Sequence, residues 1–441
     1  MRFLRDSFFV YSPSTLAPTN LPALRPNDLP VLTALPPLES CRVCVIIPVR
    51  NEAENLPAAI SALAQQIDDA GKRLDPNCYE VLLLANNCSD NTVAIAHSLS
   101  RRYPIQLHTI EVSLPKAQAF VGKARQMVMH EAYRRLSLIG LKNRIIASTD
   151  GDTKVSPNWI SALIKEFDQG IDAVGGRIIT RRAAAPGINH GISLYYLRRL
   201  AHTYLSSQLE CLLDPQTHDC WPRHFQYCGA NMAVTAQMYG KVGGMPLVKD
   251  EEDVALYCRL KQADAKIRHS LAAQVSTSAR RLGRATGGLA ELLEELAKTS
   301  QKRQTILVET PELTESRILL CRQLRHTWGV LHKSNSFSVY EYERTAALLA
   351  KSLGLSPAHL RQAIERTATF GRLVEAIATH QKQTIDPKRM AQATTEISLA
   401  NMHLRQRLQS IRQQKADATN PYVVLQTLQQ IQSIPLFSLT Q

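Results

Sequence analysis

Arg144-Ile145-Ile146-Ala147-Ser148-Thr149-Asp150-Gly151-Asp152-Thr153 is an apolar run that ends abruptly in two acids. Its first half reads as a buried strand, and its second half as the turn at the carboxyl end of that strand. Two carboxylates at i and i+2 on extended backbone point the same way, because side-chain direction repeats every two residues. Gly151 between them would leave a close-approaching ligand unobstructed. Such a pair suits a hard divalent cation, Mg or Mn, which takes one or two carboxylates and fills its remaining positions with water and diphosphate oxygens. An isolated D-x-D is common in solvated turns, so the reading rests on what surrounds it.

Strand-like and helix-like segments alternate on either side. Val43–Pro48 predicts a strand, Ala53–Gln66 a helix with Leu56, Ile60 and Leu63 on one face, and Glu80–Ala85 a second strand. Asn91–Leu99 predicts a helix capped by Ser89 or Asp90, Ile105–Val112 a strand, and Val121–Leu138 a helix. Beyond the acidic pair, Ser156-Pro157 opens another helix as N-cap and first-turn proline. Ala173–Thr180 and Gly229–Val234 read as strands flanking a long helix from His190 to Leu213, on which Tyr195, Tyr196 and Leu197 read as core. This alternation predicts an α/β fold, a Rossmann-like mixed and mostly parallel sheet with helices on both faces, whose ligands gather at the carboxyl ends of the strands. From about Gly288 the strand-like runs stop and Glu, Gln, Leu, Ala and Arg dominate, which predicts an all-α C-terminal domain. The expected organisation is an irregular arm over 1–40, the α/β domain over 41–287 and the helical domain over 288–441.

A chain of 441 residues accommodates two such domains, and 44% apolar content supplies a full core. Lys+Arg 52 against Asp+Glu 38 gives +14, a balance that favours anionic partners: nucleic acid, an acidic membrane face or phosphorylated small molecules. No stretch approaches the roughly 20 apolar residues that span a bilayer, and no secretory leader is evident. Nine cysteines are scattered along the chain; Cys41 and Cys44 form one C-x-x-C at the start of a strand, with no second pair at zinc spacing. A reducing cytoplasm is the expected compartment.

Four segments should meet at the strand ends. They are Pro48-Val49-Arg50-Asn51-Glu52, Asn86-Asn87-Cys88-Ser89-Asp90-Asn91-Thr92, the Asp150/Asp152 pair, and Asp250-Glu251-Glu252-Asp253-Val254-Ala255-Leu256. The second combines short polar side chains suited to a nucleoside with a helix N-terminus suited to anions. With Gly122-Lys123-Ala124-Arg125, Gly229-Ala230-Asn231, Gly243-Gly244 and Arg259 added in order, residues 43–285 resemble glycosyltransferase family 2, whose members adopt the GT-A fold.

That resemblance implies a nucleoside-diphosphate sugar donor, an acceptor hydroxyl and inverting transfer. Asp152 matches the metal ligand that holds the donor diphosphate, and Asp150 its partner at the ribose or metal. Pro48, Arg50, Glu52, Asn86 and Arg125 fall at nucleotide-binding positions. Asp253, with Glu252 beside it, matches the general base, and Gly229, Ala230 and Asn231 fall on the acceptor side. Asn86 stands where many members carry an acid that accepts from uracil N3–H; its carbonyl can still accept, so UDP is favoured and GDP is allowed. The third metal ligand is left open, with His269 as a candidate. Arg280 and Arg281 suit the diphosphate by guanidinium geometry.

Three further features invite other readings. The loop from Asp214 to Gln226, with Trp221 available for stacking on a sugar or lipid, reads as acceptor recognition. Ala350, Gly354, Ser356 and Leu360 have helix-turn-helix spacing, which raises nucleic-acid binding; an ordinary helical hairpin, with Gly354 as C-cap and Ser356 as N-cap, is preferred. A nucleotidyltransferase would also use a carboxylate-bound metal, but the loop after the first strand lacks the glycines it needs. The expected partners are therefore the sugar nucleotide and a lipid or small polar acceptor, with peripheral association at the inner membrane face and no nucleic acid.

Overall fold

The computed structural model describes residues 22–181, 190–278, 289–333, 339–384, 393–413 and 434–436. Strands β1 (Val43–Val49), β2 (Tyr79–Asn86), β3 (Gln106–Val112) and β4 (Ile145–Thr149) run parallel in the order β3-β2-β1-β4. The eight-stranded sheet continues through β7 (Asn231–Thr235), β6 (Ala173–Arg181), β8 (Ile267–Ser278) and the two-residue edge β5 (Lys154–Val155). β7 is antiparallel to both β4 and β6, and β8 runs parallel to β6.

β1 and β2 are almost wholly apolar because helices cover both faces of the sheet. Val45, Ile47, Val81 and Leu83 pack beneath α1 (Leu56–Ala64), α2 (Thr92–Arg102) and α4 (Trp159–Asp168). The alternate residues Ile46, Leu82 and Leu84 pack beneath α3 (Val121–Leu138), α6 (Ala236–Lys241) and α7 (Glu252–Gln262). This is the α/β sandwich that the sequence predicts. The Cys41 and Cys44 side chains are buried in it, and burial pushes the Cys41 thiol up to about 12, so the pair is structural. Residues 22–40 lie over α3: Glu131 accepts from the amides of Leu32 and Thr33, and the Tyr133 hydroxyl donates to the Leu24 carbonyl.

The β6/β8 ladder breaks once. Gly176 pairs with Ser270, but Arg177 pairs with Gln274, so residues 271–273 bulge out of the sheet. Asn231 on β7 fills the break, its amide donating to the carbonyls of Arg177 at 3.1 Å and Ala273 at 2.9 Å. Beyond the bulge β8 extends past the end of β4 and carries Thr277 toward the acidic pair.

α5 (His190–Leu213) serves both halves of the molecule. Its Leu205, Leu209 and Leu213 join a helical core with residues of α9 (Pro311–Lys333), α10 (Val339–Leu353), α11 (Pro357–Arg366), α12 (Phe370–Thr384) and α13 (Ile397–Gln413). Its Ile192 and Tyr196 pack on Leu292, Leu293 and Leu296 of α8 (Leu289–Gln301). Tyr196 is core as expected, but Leu197 points outward and is 49% exposed. The helical region also contains one small antiparallel pair that its composition did not announce, β9 (Leu307–Glu309) with β10 (Thr394–Glu396). α10 and α11 form a tight hairpin, turned by Gly354 at φ +69° and capped by Ser356, whose hydroxyl accepts from the His359 amide. Leu349, Ala350, Leu353, Leu360 and Ile364 of that hairpin lie within the helical core. Among the described residues no helix is long and apolar enough to cross a membrane.

One junction ties the helical region to the sheet domain. Just past α7, Asp264 sits at φ +53° and accepts from the Phe370 and Gly371 amides, each at 2.8 Å, in the first turn of α12. Thr369 donates to the Gln262 carbonyl, and Gly371 approaches α7 so closely that a Cβ there would meet the Lys261 carbonyl oxygen at 1.9 Å. Asp264→Ala should lower stability by about 1 kcal/mol, the usual worth of an N-cap, while Asp264→Asn should retain most of it. Denaturant unfolding of both variants checks this, and Gly371→Val should cost more than either.

Candidate active site

Arg125 stands one turn into α3 and is almost fully buried. Each nitrogen of its guanidinium is engaged. Nε donates to Glu252 at 3.1 Å, Nη1 to the Ser148 hydroxyl at 2.6 Å and the Gly229 carbonyl at 3.0 Å, and Nη2 to Asp150 at 3.0 Å. One side chain thus joins α3, the end of β4, the loop before β7 and the start of α7. Burial works against its charge, but Asp150, Glu252 and Asp253 together outweigh that and hold its pKa above the ordinary guanidinium value.

The Gly229 peptide is gripped from both sides. Its carbonyl accepts from Arg125 and from Ser148, and its N–H donates to Asp253 Oδ2 at 2.8 Å. A Cβ at residue 229 would lie 2.6 Å from the Arg125 guanidinium carbon, so only glycine fits there. Gly122 has a similar constraint, since a Cβ would meet the Val248 carbonyl oxygen at 2.1 Å; this contact seats α3 against the segment leading into α7. The third and fourth expected segments, the acidic pair and the Asp253 helix, therefore meet through Arg125 and Gly229.

Asp152 lies half-buried beyond β4, with the hydroxyls of Thr153 at 3.4 Å and Thr277 at 3.5 Å from its carboxylate. Burial in the cleft raises the Asp150 pKa against the pull of Arg125, and Asp152 and Asp253 add to the rise. Gly151 plays another part than the one expected of it. A Cβ there would meet Val49 at 2.6 Å and Glu52 at 3.1 Å, so its lack of a side chain serves packing on β1 and not the approach of a ligand.

The first and second segments lock together. Asn51, at φ +55°, accepts from the Ser89 amide at 2.7 Å, and the Glu52 amide donates to the Thr92 hydroxyl at 2.8 Å. Asp90 accepts from the amides of Ala53 and Thr92. The N-E and S-D-x-T motifs are thus two halves of one joint between the ends of β1 and β2. Glu52 is buried and receives the Asn55 amide, Pro48 is half-buried in β1, and the exposed Arg50 reaches the Ala119 carbonyl at 3.3 Å. Asn86 ends β2 with Oδ1 buried and without a protein partner among the described residues, and the Thr149 hydroxyl at the end of β4 is in the same condition. Buried polar atoms are normally paired, which marks both as groups that a ligand could satisfy.

Several expected roles change. Arg125, expected at a nucleotide-binding position, directs its donors to Glu252, Ser148, Gly229 and Asp150 within the protein. Glu252 is buried in an ion pair with Arg125, which gives it a positioning role beside the expected base. Asn231 has no free reach toward an acceptor: it pins the sheet bulge and accepts from the Trp159 indole at 2.9 Å. Ala230 is buried core.

The loop around Trp221 turns its polar groups inward, over the otherwise open edge of β8. Asp219 accepts from the His269 amide and ring and pairs with Arg223, and Arg268 donates to the Cys220 and Pro222 carbonyls. His269 is thereby held by Asp219 near the start of β8, at the opposite end of that strand from Thr277, which meets Asp152. Trp221 itself is partly exposed against Tyr204. Arg280 and Arg281 lie outside the described residues.

Three residues of the site were not singled out beforehand. Ser148 was legible, since it lies two residues before Asp150 and so on the same face of the strand. Thr277 depends on the bulge, which no sequence pattern reveals. Tyr227 is buried with its hydroxyl unpartnered among the described residues, and burial, with the Asp253 charge nearby, raises its pKa.

Parallel strands, one of them leading into paired acids that Arg125 and Gly229 join to a third acid at the start of α7, make up a GT-A type of domain. Residues 44–228 match the family model described as Glycosyl transferase family 2, and the chain carries a domain of that family. Glycosyltransferase AglE of Haloferax volcanii is 29% identical over 137 residues, which is 31% of this chain and 39% of that protein. The alignment thus spans about two fifths of that relative. Among solved structures, S. aureus TarS 1–349 in complex with UDP-GlcNAc is similar at 12% identity, covering 77% of this chain and 92% of that one, with a TM-score of 0.41. The mannosyltransferase PcManGT from Pyrobaculum calidifontis, in complex with GDP-Man and Mn2+, is similar at 14% identity, covering 88% and 91%, with a TM-score of 0.38.

Removing the guanidinium would strand carboxylates built around it. Arg125→Met should cost about 3–5 kcal/mol in denaturant unfolding, and a loss under 1 kcal/mol would contradict the arrangement. The loop beside β8 adds a pH effect. Burial, helped by His269, holds His224 down at about 3, well below the usual 6.5. The unfolded chain takes up that proton first, so stability should fall as pH drops from about 6.5 toward 3, by at most about 1.4 kcal/mol per pH unit from this group. Thermal unfolding across that range should show a shallower acid limb for His224→Gln.

Proposed function

We propose that the protein transfers a sugar from a nucleoside-diphosphate sugar, UDP favoured, to an acceptor hydroxyl with inversion at the anomeric carbon. The observation that carries the reading is the single Arg125–Gly229 unit that ties Asp150 and Asp253 into one cluster. Asp253 fits the general base: the Gly229 amide fixes its carboxylate, and it would remove the acceptor proton as that oxygen attacks opposite the nucleotide. Asn86 fits the nucleobase side, where its buried carbonyl would accept from a ring N–H. Pro48, Arg50 and Glu52 border the same side.

The donor set suits a divalent ion. Asp152, with Asp150 beside it, offers hard oxygens appropriate to Mg or Mn. Among the described residues no group of three or more His, Cys, Asp or Glu is arranged to hold a metal, so the protein would supply part of the shell and the donor diphosphate the rest. Bound there, the ion would neutralise charge developing on the leaving diphosphate. The acceptor is a lipid or small polar alcohol, and the compartment that best suits nine free cysteines is the cytoplasm.

A thermal-shift panel of UDP-, GDP- and CDP-sugars with Mn or Mg should show a metal-dependent rise, largest for a UDP-sugar. Asp152→Asn should abolish that rise. Asp253→Asn should keep it while losing about 10²–10⁴-fold in transfer, the usual worth of a positioned base. Wild-type transfer by Asp253→Asn would remove the base assignment.

A further inference from the structure

Among the described residues, α5 and α13 present an apolar stripe to solvent that no other element covers. On α5 the outward positions are Leu194, Leu197 and Tyr204, with Ala201 between them at helical spacing. Trp221 extends the stripe, its ring 5.5 Å from that of Tyr204. On the neighbouring α13, Leu399 and Met402 point outward one turn apart. The two helices are joined where the Asn401 amide donates to the Arg198 carbonyl at 3.0 Å. These six large side chains are each between 37% and 49% exposed, although nearly every other large apolar residue of α5 and α13 is buried or half-buried.

The charges on the same helices have one sign. α5 carries Arg198 and Arg199, and α13 carries Arg405 and Arg412, while Arg407 of α13 is paired with Glu315 of α9. Only one acid lies in either helix, Glu210, and it is paired inward with Arg223. An apolar stripe flanked by arginines complements a surface that offers both anionic head groups and an apolar interior. A nucleic acid would match the charges but leave the leucines unused.

We infer that α5 and α13 dock this protein peripherally on an anionic lipid bilayer, with Leu197 and Met402 inserted at the interface. Resting on the proposed transfer, this makes the acceptor a lipid whose hydroxyl is presented at the membrane surface.

Vesicle co-sedimentation tests the docking without reference to catalysis. The full chain should bind vesicles of phosphatidylcholine mixed with phosphatidylglycerol, more weakly at high salt, and bind pure phosphatidylcholine poorly. Leu197→Glu combined with Met402→Glu should weaken binding by about tenfold or more, since two apolar insertions are replaced by like-charged repulsion. Arg198→Gln combined with Arg405→Gln should remove most of the phosphatidylglycerol dependence. All four positions are solvent-facing or half-buried, so the thermal midpoint and the sugar-nucleotide shift should persist in both variants, which separates loss of docking from loss of fold or donor binding. The inference is overturned if wild type fails to bind mixed vesicles, or if the Leu197/Met402 variant binds as wild type does. It is equally overturned if the variants instead abolish self-association or duplex DNA binding in a chain that ignores vesicles.

Discussion

A guanidinium sealed from water is tolerable only when opposite charge and hydrogen-bond acceptors surround it. Arg125 meets that requirement by drawing in Asp150, Glu252, Ser148 and the Gly229 carbonyl, each from a different stretch of the chain. The arrangement fixes the relative positions of α3, β4, the loop before β7 and the start of α7. The site owes its shape to this requirement, because Asp150, the partly exposed acid of the cluster, is also one of the acids that neutralise the arginine. Gly229 is part of the same solution. Any side chain there would displace the guanidinium, and its amide is the group that orients Asp253.

The sheet and its alternation with helices were readable because both faces of β1, β2 and β4 are buried and their apolar runs are unbroken. The acidic ends were readable because side-chain direction on a strand follows a period of two, which puts Ser148 and Asp150 together and aims them at one partner. What a linear pattern hides is how a polar residue spends its hydrogen bonds. Arg125 and Glu252 look like ligand-binding groups until each is seen to occupy the other. Asn231 sits in a motif associated with substrate, yet its amide closes a gap in the sheet. The gap itself, residues 271–273 of β8, gives no signal in composition, and Thr277 reaches Asp152 only because of it.

The loop between α5 and β7 carries a similar lesson. Its mixture of His, Cys, Trp, Arg and Asp suggests recognition chemistry, but most of those groups face inward. Asp219, Arg223, Arg268 and His269 satisfy one another along the flank of β8, covering backbone groups that an edge strand would otherwise expose. Leu197 errs in the opposite direction: helical periodicity placed it in the core, and it stands outside. In both places an exposed apolar group and a buried polar cluster have exchanged the positions that composition alone would assign them.

The contact between α12 and α7 has a mechanical consequence. α7 is a stiff rod of 11 residues, about 16 Å long. Asp253 occupies one tip, and the Asp264 clamp on Phe370 and Gly371 holds the other. A tilt of the helical bundle would therefore arrive at the cleft as a rigid displacement of the carboxylate, with little lost along the way. Substitutions in α12 can therefore act on the seat of Asp253 from the far end of its helix, without touching a residue of the site itself.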